Sequence, residues 1–399
     1  MVTAAYARPQ FMFDSHSPAI IAASLKRLQE SAYDARTKEL EEYEAWYQGG
    51  TEILRYLYRN PSETDESFYA RQQRMCHLNY IGRIVDEVVD DVYGDEVQRS
   101  FGIDAALEAD EALKKVLNAN NILTITQEAC KSQVLLGDGW ANVCWRPDDN
   151  IIGIYAVHPL DIWYRTDPNS PGRLLELVER RRSVRLDVPQ AKDGSIFTYW
   201  VWNDAEFFEM DMNGKVVTEP QLNTYRTIPY VRWRGRTVVG TDEGLSFVRD
   251  ACTIQRLVLN RVSDLDKLIR YQTHGLLVIK GIDDPKIAAG ADSFLRLINE
   301  GDEAYFISPD ANVQAVVESI KELVDAEFVI SSVPSSLVRG GQASSGLQLA
   351  IEMRPLTRVV GTVRAMAKPA EIRLIRLIAT VGRAHGQSVF PEVVDPVVE

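Results

Sequence analysis

Between Asp242 and Thr273 the sequence keeps a single helical stripe. Leu245, Val248, Cys252, Leu259, Val262, Leu265, Leu268 and Ile269 recur at helical spacing, with charged residues between them. Thr241 or Asp242 offers an N-cap. At a rise of 1.5 Å per residue such a helix spans roughly 50 Å, more than a compact domain needs. A helix of that length bundles with others or packs in an oligomer.

The stretches before it divide into helical and strand-like grammar. Ser17-Pro18 opens a helix that carries Ile21, Leu25, Leu28, Ala32 and Ala35 and runs to Tyr47, where Gly49-Gly50 stops it. A short helix over 53–58 precedes Asn60-Pro61. One long helix is predicted from Glu66 to Tyr93, with Ile81, Ile84, Val85, Val88, Val89 and Val92 on its apolar side. Helices near 105–119 and 123–136 lead to Gly137-Asp138-Gly139 and a strand over 140–145. From there to Arg236 the segments 151–157, 174–182, 197–202, 206–210 and 230–234 are rich in β-branched and aromatic residues, and Met212-Asn213-Gly214 signals a hairpin. After the long helix come a small βαβ-like insert (strand 276–280, helix 285–299, strand 303–307) and a helix over 317–331. The linker Arg339 to Gly346 then leads into a last helix over 347–383, expected to be kinked or divided at Pro355 and Pro369. The fold class is α+β.

The 399 residues are 45% hydrophobic and 25% charged, the profile of a globular chain. No apolar run approaches the roughly 20 residues of a membrane helix, and the N-terminus lacks a signal peptide, so a product made or assembled in a cytoplasm is expected. A net charge of −13 argues against conventional phosphate-neutralising DNA binding. It is compatible with a protein past which DNA slides without sticking. Cys76, Cys130, Cys144 and Cys252 match no metal-ligand spacing and read as reduced thiols.

Catalytic motifs are missing. Gly341-Gln342-Ala343-Ser344-Ser345-Gly346 has the glycine spacing of a phosphate loop, but Leu347 stands where lysine is required. No nucleophile elbow frames the serines. His16, His77, His158, His274 and His385 are scattered. The run Asp86-Glu87-Val88-Val89-Asp90-Asp91 reads as a solvated stripe, with a divalent site as the less favoured reading. Neither cofactor nor metal is expected. Arg180-Arg181-Arg182 suits a subunit-interface ion-pair patch or a nucleic-acid contact. The last helix is locally basic: Arg354, Arg358, Arg364, Lys368, Arg373, Arg376 and Arg383 face only Glu352 and Glu371. Pairing with acidic neighbouring subunits and contact with DNA phosphates are both open for them.

The order of these segments resembles the portal proteins of tailed bacteriophages over about residues 40–385. Tyr47-Gln48-Gly49-Gly50, Leu54-Arg55-Tyr56-Leu57, Phe68-Tyr69-Ala70-Arg71 and the helix from Asn79 to Asp86 resemble the opening of the portal wing. Gly137-Asp138-Gly139-Trp140 and Val157-His158-Pro159-Leu160-Asp161 are similar to its β segments. The run from Gly240 through Leu257-Val258-Leu259-Asn260-Arg261 resembles a first stem helix, and Ser345-Gly346-Leu347-Gln348 with Arg354-Pro355-Leu356 resembles the start of a kinked channel helix.

The resemblance implies a wing over 1–239, a first stem helix over 240–273, a clip over 274–316 and a second stem helix over 317–333. A tunnel loop over 334–346, a kinked wing or channel helix over 347–385 and a short tail or remnant crown over 386–399 complete the chain. It implies no enzymatic activity but a homo-oligomeric ring of about twelve subunits at one capsid vertex of the virion, assembled in the host cytoplasm. Double-stranded DNA would pass through the ring. The terminase large subunit, major capsid and scaffolding proteins and a head-completion adaptor would be partners, with no membrane involved. Arg339, Gly340, Gly341, Gln342, Ala343, Ser344 and Ser345 would line the constriction, with Arg354, Arg358, Arg364 and Lys368 as DNA or inter-subunit contacts. Two alternatives are an α+β enzyme with a polar active-site loop at 340–346 and another oligomeric (minor capsid) head protein.

Overall fold

The structure is a computed structural model that describes residues 35–95, 97–102, 107–183, 188–189, 196–237, 241–274, 276–280, 303–307, 312–335, 346–392 and 395–398. The expected helix over 17–34, the helix over 285–299 and the loop 339–345 lie outside these residues.

Eight helices are seen among the described residues: α1 (Ala35–Gln48), α2 (Asp65–Gln72), α3 (Tyr80–Val92), α4 (Leu107–Ala119), α5 (Ile122–Leu136), α6 (Arg249–His274), α7 (Val313–Ile330) and α8 (Gly346–Ala384). The strands are β1 (Arg99–Ser100), β2 (Asp138–Arg146), β3 (Ile151–Val157), β4 (Ile162–Asp167), β5 (Ser170–Arg182), β6 (Phe197–Asn203) and β7 (Glu206–Asp211). They continue with β8 (Val216–Leu222), β9 (Tyr230–Arg234), β10 (Arg236–Thr237), β11 (Gly244–Leu245), β12 (Leu276–Lys280), β13 (Glu303–Ile307) and β14 (Val397–Val398). This is an antiparallel α+β architecture: a three-stranded sheet in the order β3-β2-β9, a five-stranded meander β4 to β8, and three two-stranded pairs.

The apolar stripe of α3 is buried over its whole length, as its periodicity predicts. It joins α1, α5, α6, α7 and the first half of α8 around Trp46, Ile84, Val88, Phe328 and Leu356. A second core lies between α4, α5, the β3-β2-β9 sheet and the second half of α8, with Leu113, Val143, Trp233, Leu374 and Ile378 at its centre. The two sheets meet over Trp140, Leu177, Trp202 and Tyr230. Helix α5 serves the first two cores through opposite sides: Ile125 and Ala129 face one, Val134 and Leu135 the other.

Close backbone approach explains two glycines. A Cβ on Gly139 in β2 would stand 1.8 Å from the Ala129 carbonyl oxygen of α5. A Cβ on Gly244 would stand 1.8 Å from the Gly137 carbonyl oxygen. That second contact corrects the start of the long helix. Gly244-Leu245 pairs with β10, and the Gly244 N–H donates to Asp138 Oδ2 at 3.0 Å, so the helix begins only at Arg249 and spans about 39 Å.

Three further expectations change. The helix expected over 66–93 is broken at 73–79, where the Asn79 side chain caps α3 by accepting from Gly82 N at 2.8 Å and donates to the Tyr47 carbonyl at 2.7 Å. The strands of the insert pair antiparallel, Leu276 opposite Ile307 and Lys280 opposite Glu303, so this part of the insert is a two-stranded antiparallel pair and not a parallel βαβ unit. The last helix is not divided, since both prolines lie inside α8.

Candidate functional site

Helix α8 is the element that carries the candidate contacts, and its two sides differ sharply. Leu356, Val360, Val363, Ala367 and Ala370 are buried in the cores, while Arg354, Arg358, Lys368 and Arg376 are exposed. Positions 354, 358, 361, 365, 368, 372 and 376 follow one another at helical spacing, so these cations form a row along one face. Among the described residues none of the four has a carboxylate within ion-pair distance.

Arg364 is different. Its guanidinium turns to the C-terminus of α3, donating to the Val92 carbonyl at 3.3 Å and to the Asp91 carbonyl, with exposed Asp95 3.9 Å away. A cation at the last carbonyls of a helix satisfies orphan acceptors and the negative end of the dipole. Arg373 also turns inward, to the Tyr230 and Ile228 carbonyls, each at 3.2 Å, where burial lowers its pKa. Glu371, an acidic neighbour of these arginines in sequence, is buried and committed elsewhere. It accepts from Arg99 Nε at 2.8 Å, Arg99 Nη2 at 3.0 Å and the Tyr93 hydroxyl at 2.8 Å. Burial, with the charge of Glu371, pushes the Tyr93 phenol up.

The basic run in β5 is absorbed within the chain. Arg180 donates to Asp161 Oδ1 at 2.6 Å, and Arg181 stacks on Trp200 with its guanidinium 4.4 Å from the ring centroid while pairing with Glu179 at 2.7 Å. The Tyr230 hydroxyl donates to the same Glu179. These contacts hold β5 against β9 between the two sheets and engage Arg180 and Arg181 within the chain, while Arg182 is exposed. His158 bonds Glu44 of α1 at 3.2 Å. Burial works against its cation, but the Glu44 hydrogen bond and charge outweigh that and raise its pKa.

In the acidic run of α3, Asp86 accepts from the Tyr47 hydroxyl at 2.7 Å and lies 3.7 Å from Lys131, and Glu87 pairs with Arg83. Among the described residues no group of three His, Cys, Asp or Glu side chains is placed to hold a metal ion. No helix among them is long and apolar enough to cross a membrane. Cys130 and Cys252 are buried, Cys144 is half-buried and Cys76 is exposed.

What sequence reading missed is the buried acid Glu327 in α7. It is fully enclosed, and neither carboxylate oxygen has a hydrogen-bond partner among the described residues. The sequence carries a faint signal for it, a glutamate directly before Phe328 on the side of α7 that also carries Val324.

Helices joined through two cores and flanked by antiparallel sheets, with a row of exposed cations on α8, make up the scaffold. A family profile described as phage portal protein, SPP1 Gp6-like, matches residues 29–393. The chain belongs to this family of phage portal proteins, structural components of the capsid. No curated protein matches the chain.

Proposed function

We propose that the chain is the subunit of a ring, of about twelve copies, that forms the DNA channel at one capsid vertex. Double-stranded DNA enters through it under the drive of a terminase and leaves through it later. In this reading α6 and α7 are the stem, and β12 with β13 belongs to the clip that meets first the terminase large subunit and then a head-completion adaptor. Major capsid and scaffolding proteins surround the wing. The segment Arg339, Gly340, Gly341, Gln342, Ala343, Ser344 and Ser345, joining α7 to α8, lines the narrowest passage.

The observation that carries this reading, beyond family membership, is the exposed row Arg354, Arg358 and Lys368 on the helix that directly follows that segment. A short cationic row on a chain of net charge −13 suits transient contact with sliding phosphates. The mean field of the assembly repels DNA, and a few cations guide it without trapping it. Packaging in vitro tests the reading. Capsids assembled with this chain, given the cognate terminase and ATP, are expected to protect DNA from nuclease, and capsids assembled without it are not. Equal protection by both would refute the role.

A further inference from the structure

Glu327 lies in the last turn of α7, on the side packed against α6. Its side chain is fully enclosed, and its two oxygens both lack a hydrogen-bond partner among the described residues. An ionised carboxylate in such a place is far more unfavourable than a neutral acid, because no described side chain compensates for its lost hydration. From α6, Cys252 lies close enough to the carboxyl to couple with it electrostatically, and burial, with the charge of Glu42, raises its thiol. Arg256 also acts on that thiol, but it pairs with Glu42 of α1 and not with Glu327. Gln255 of α6 is fully buried too; its amide donates to the Leu78 carbonyl at 2.8 Å and its own oxygen is left unpartnered. The next residue, Phe328, meets the edge of Tyr80 from α3, with ring centroids 5.5 Å apart.

The turn that holds Glu327 ends in a strained cap. Ser332 adopts a left-handed φ of +56°, a conformation that glycine usually supplies at this place. Three amides close the turn: Ser331 N–H to the Glu327 carbonyl, Ser332 N–H to Val329 and Val333 N–H to Phe328, each at 3.1 Å. Val333 is buried beyond the cap, whereas Val329 and Ile330 are 75% and 52% exposed. Anchorage of the turn thus depends on a few groups: Phe328, Val333 and a carboxyl that fits only when uncharged.

We propose that the last turn of α7 is a proton-dependent latch, seated against α6 while Glu327 is neutral and released when that side chain ionises. Release exchanges no covalent bond; one proton passes to solvent, and the carboxylate follows it into water. Burial raises the carboxyl from 4.5 to about 8, so the seated state holds the proton throughout the neutral range.

Hydrogen exchange of the full chain tests this at the Ser331, Ser332 and Val333 amides. After correction for intrinsic exchange, the opening equilibrium of the wild type is expected to rise about tenfold per pH unit between about pH 5 and pH 8 and then to level off. Glu327→Gln, which keeps shape and removes the charge, is expected to be flat over that range. A flat wild type, or a variant that rises equally, would overturn the proposal. The infrared difference between the wild type and Glu327→Gln is a second readout, because Glu176, also buried and raised to about 7, gives a protonated-carboxyl band of its own. A carbonyl band at pH 6 that is missing from Glu327→Gln and fades toward pH 9 is expected; identical spectra of the two proteins at pH 6 would overturn the proposal.

Discussion

Arg99 and Glu371, 272 positions apart, close a buried two-pronged ion pair that ties β1 to the second half of α8. The Tyr93 hydroxyl completes the arrangement at the end of α3. Such a pair holds because each charge satisfies the other, so removing one partner leaves a buried charge uncompensated. Glu371→Gln is expected to lower stability by about 3–5 kcal/mol in chemical denaturation. Replacing both partners by apolar residues of similar volume should lose much less. A single-variant loss below about 1 kcal/mol would show that water already serves this pair.

Gly139 predicts a second outcome. The Cβ of an alanine there would stand 1.8 Å from the Ala129 carbonyl oxygen, and both groups belong to backbone held in elements of one core. Gly139→Ala is therefore expected to prevent folding or to lower the melting temperature by several degrees, a loss above about 3 kcal/mol. Gly172 has a positive φ but nothing near its missing Cβ, so Gly172→Ala, measured alongside, should show only the smaller strain of about 1 kcal/mol.

These two sites show what the sequence made legible. The apolar period marks the end of α3, and the apolar runs of β3, β9, β12 and β13 mark those strands, to within a residue or two, because burial on one face writes itself into local spacing. The break before α3 does not, since it depends on Tyr47 and Gln255 reaching residues 78 and 79 from other helices. β8 was hidden for another reason. As an edge strand it is largely exposed, contains Pro220 and shows no apolar alternation. The cationic count of α8 was visible, but not that Arg364 and Arg373 turn inward to carbonyls of distant segments. Partners hundreds of positions away leave no local trace.

The third prediction concerns pH. With an unfolded carboxyl near 4.5 and a folded one near 8, Glu327 makes no difference to stability below about pH 4.5, where both states are protonated. As pH rises the unfolded chain releases its proton first, and the native state loses about 1.4 kcal/mol per pH unit up to about pH 8. Glu327→Gln should thus be near neutral at pH 4 and stabilising by on the order of 3 kcal/mol at pH 7. Denaturant midpoints at the two pH values decide it; a variant less stable at pH 7 would contradict the assignment.

The fourth separates the exposed cations from the inward ones. Arg354→Ala with Arg358→Ala removes two exposed heads and should change stability by less than about 0.5 kcal/mol each while slowing DNA filling of capsids. Arg364→Ala uncovers the last carbonyls of α3 and should lower stability by about 1–2 kcal/mol. Melting curves and nuclease-protected DNA, measured on the same preparations, distinguish the two roles. Normal filling by the double variant would remove the outward row from the channel.

The ring is the claim on which the functional account stands, and its mass is the most direct test. Light scattering coupled to size exclusion on the purified full chain is expected to give one species of about 540 kDa, twelve times the 45.0 kDa subunit, or a neighbouring multiple for a ring of slightly different number. A monodisperse monomer or dimer across the concentration range, under conditions where the chain is folded, would contradict it.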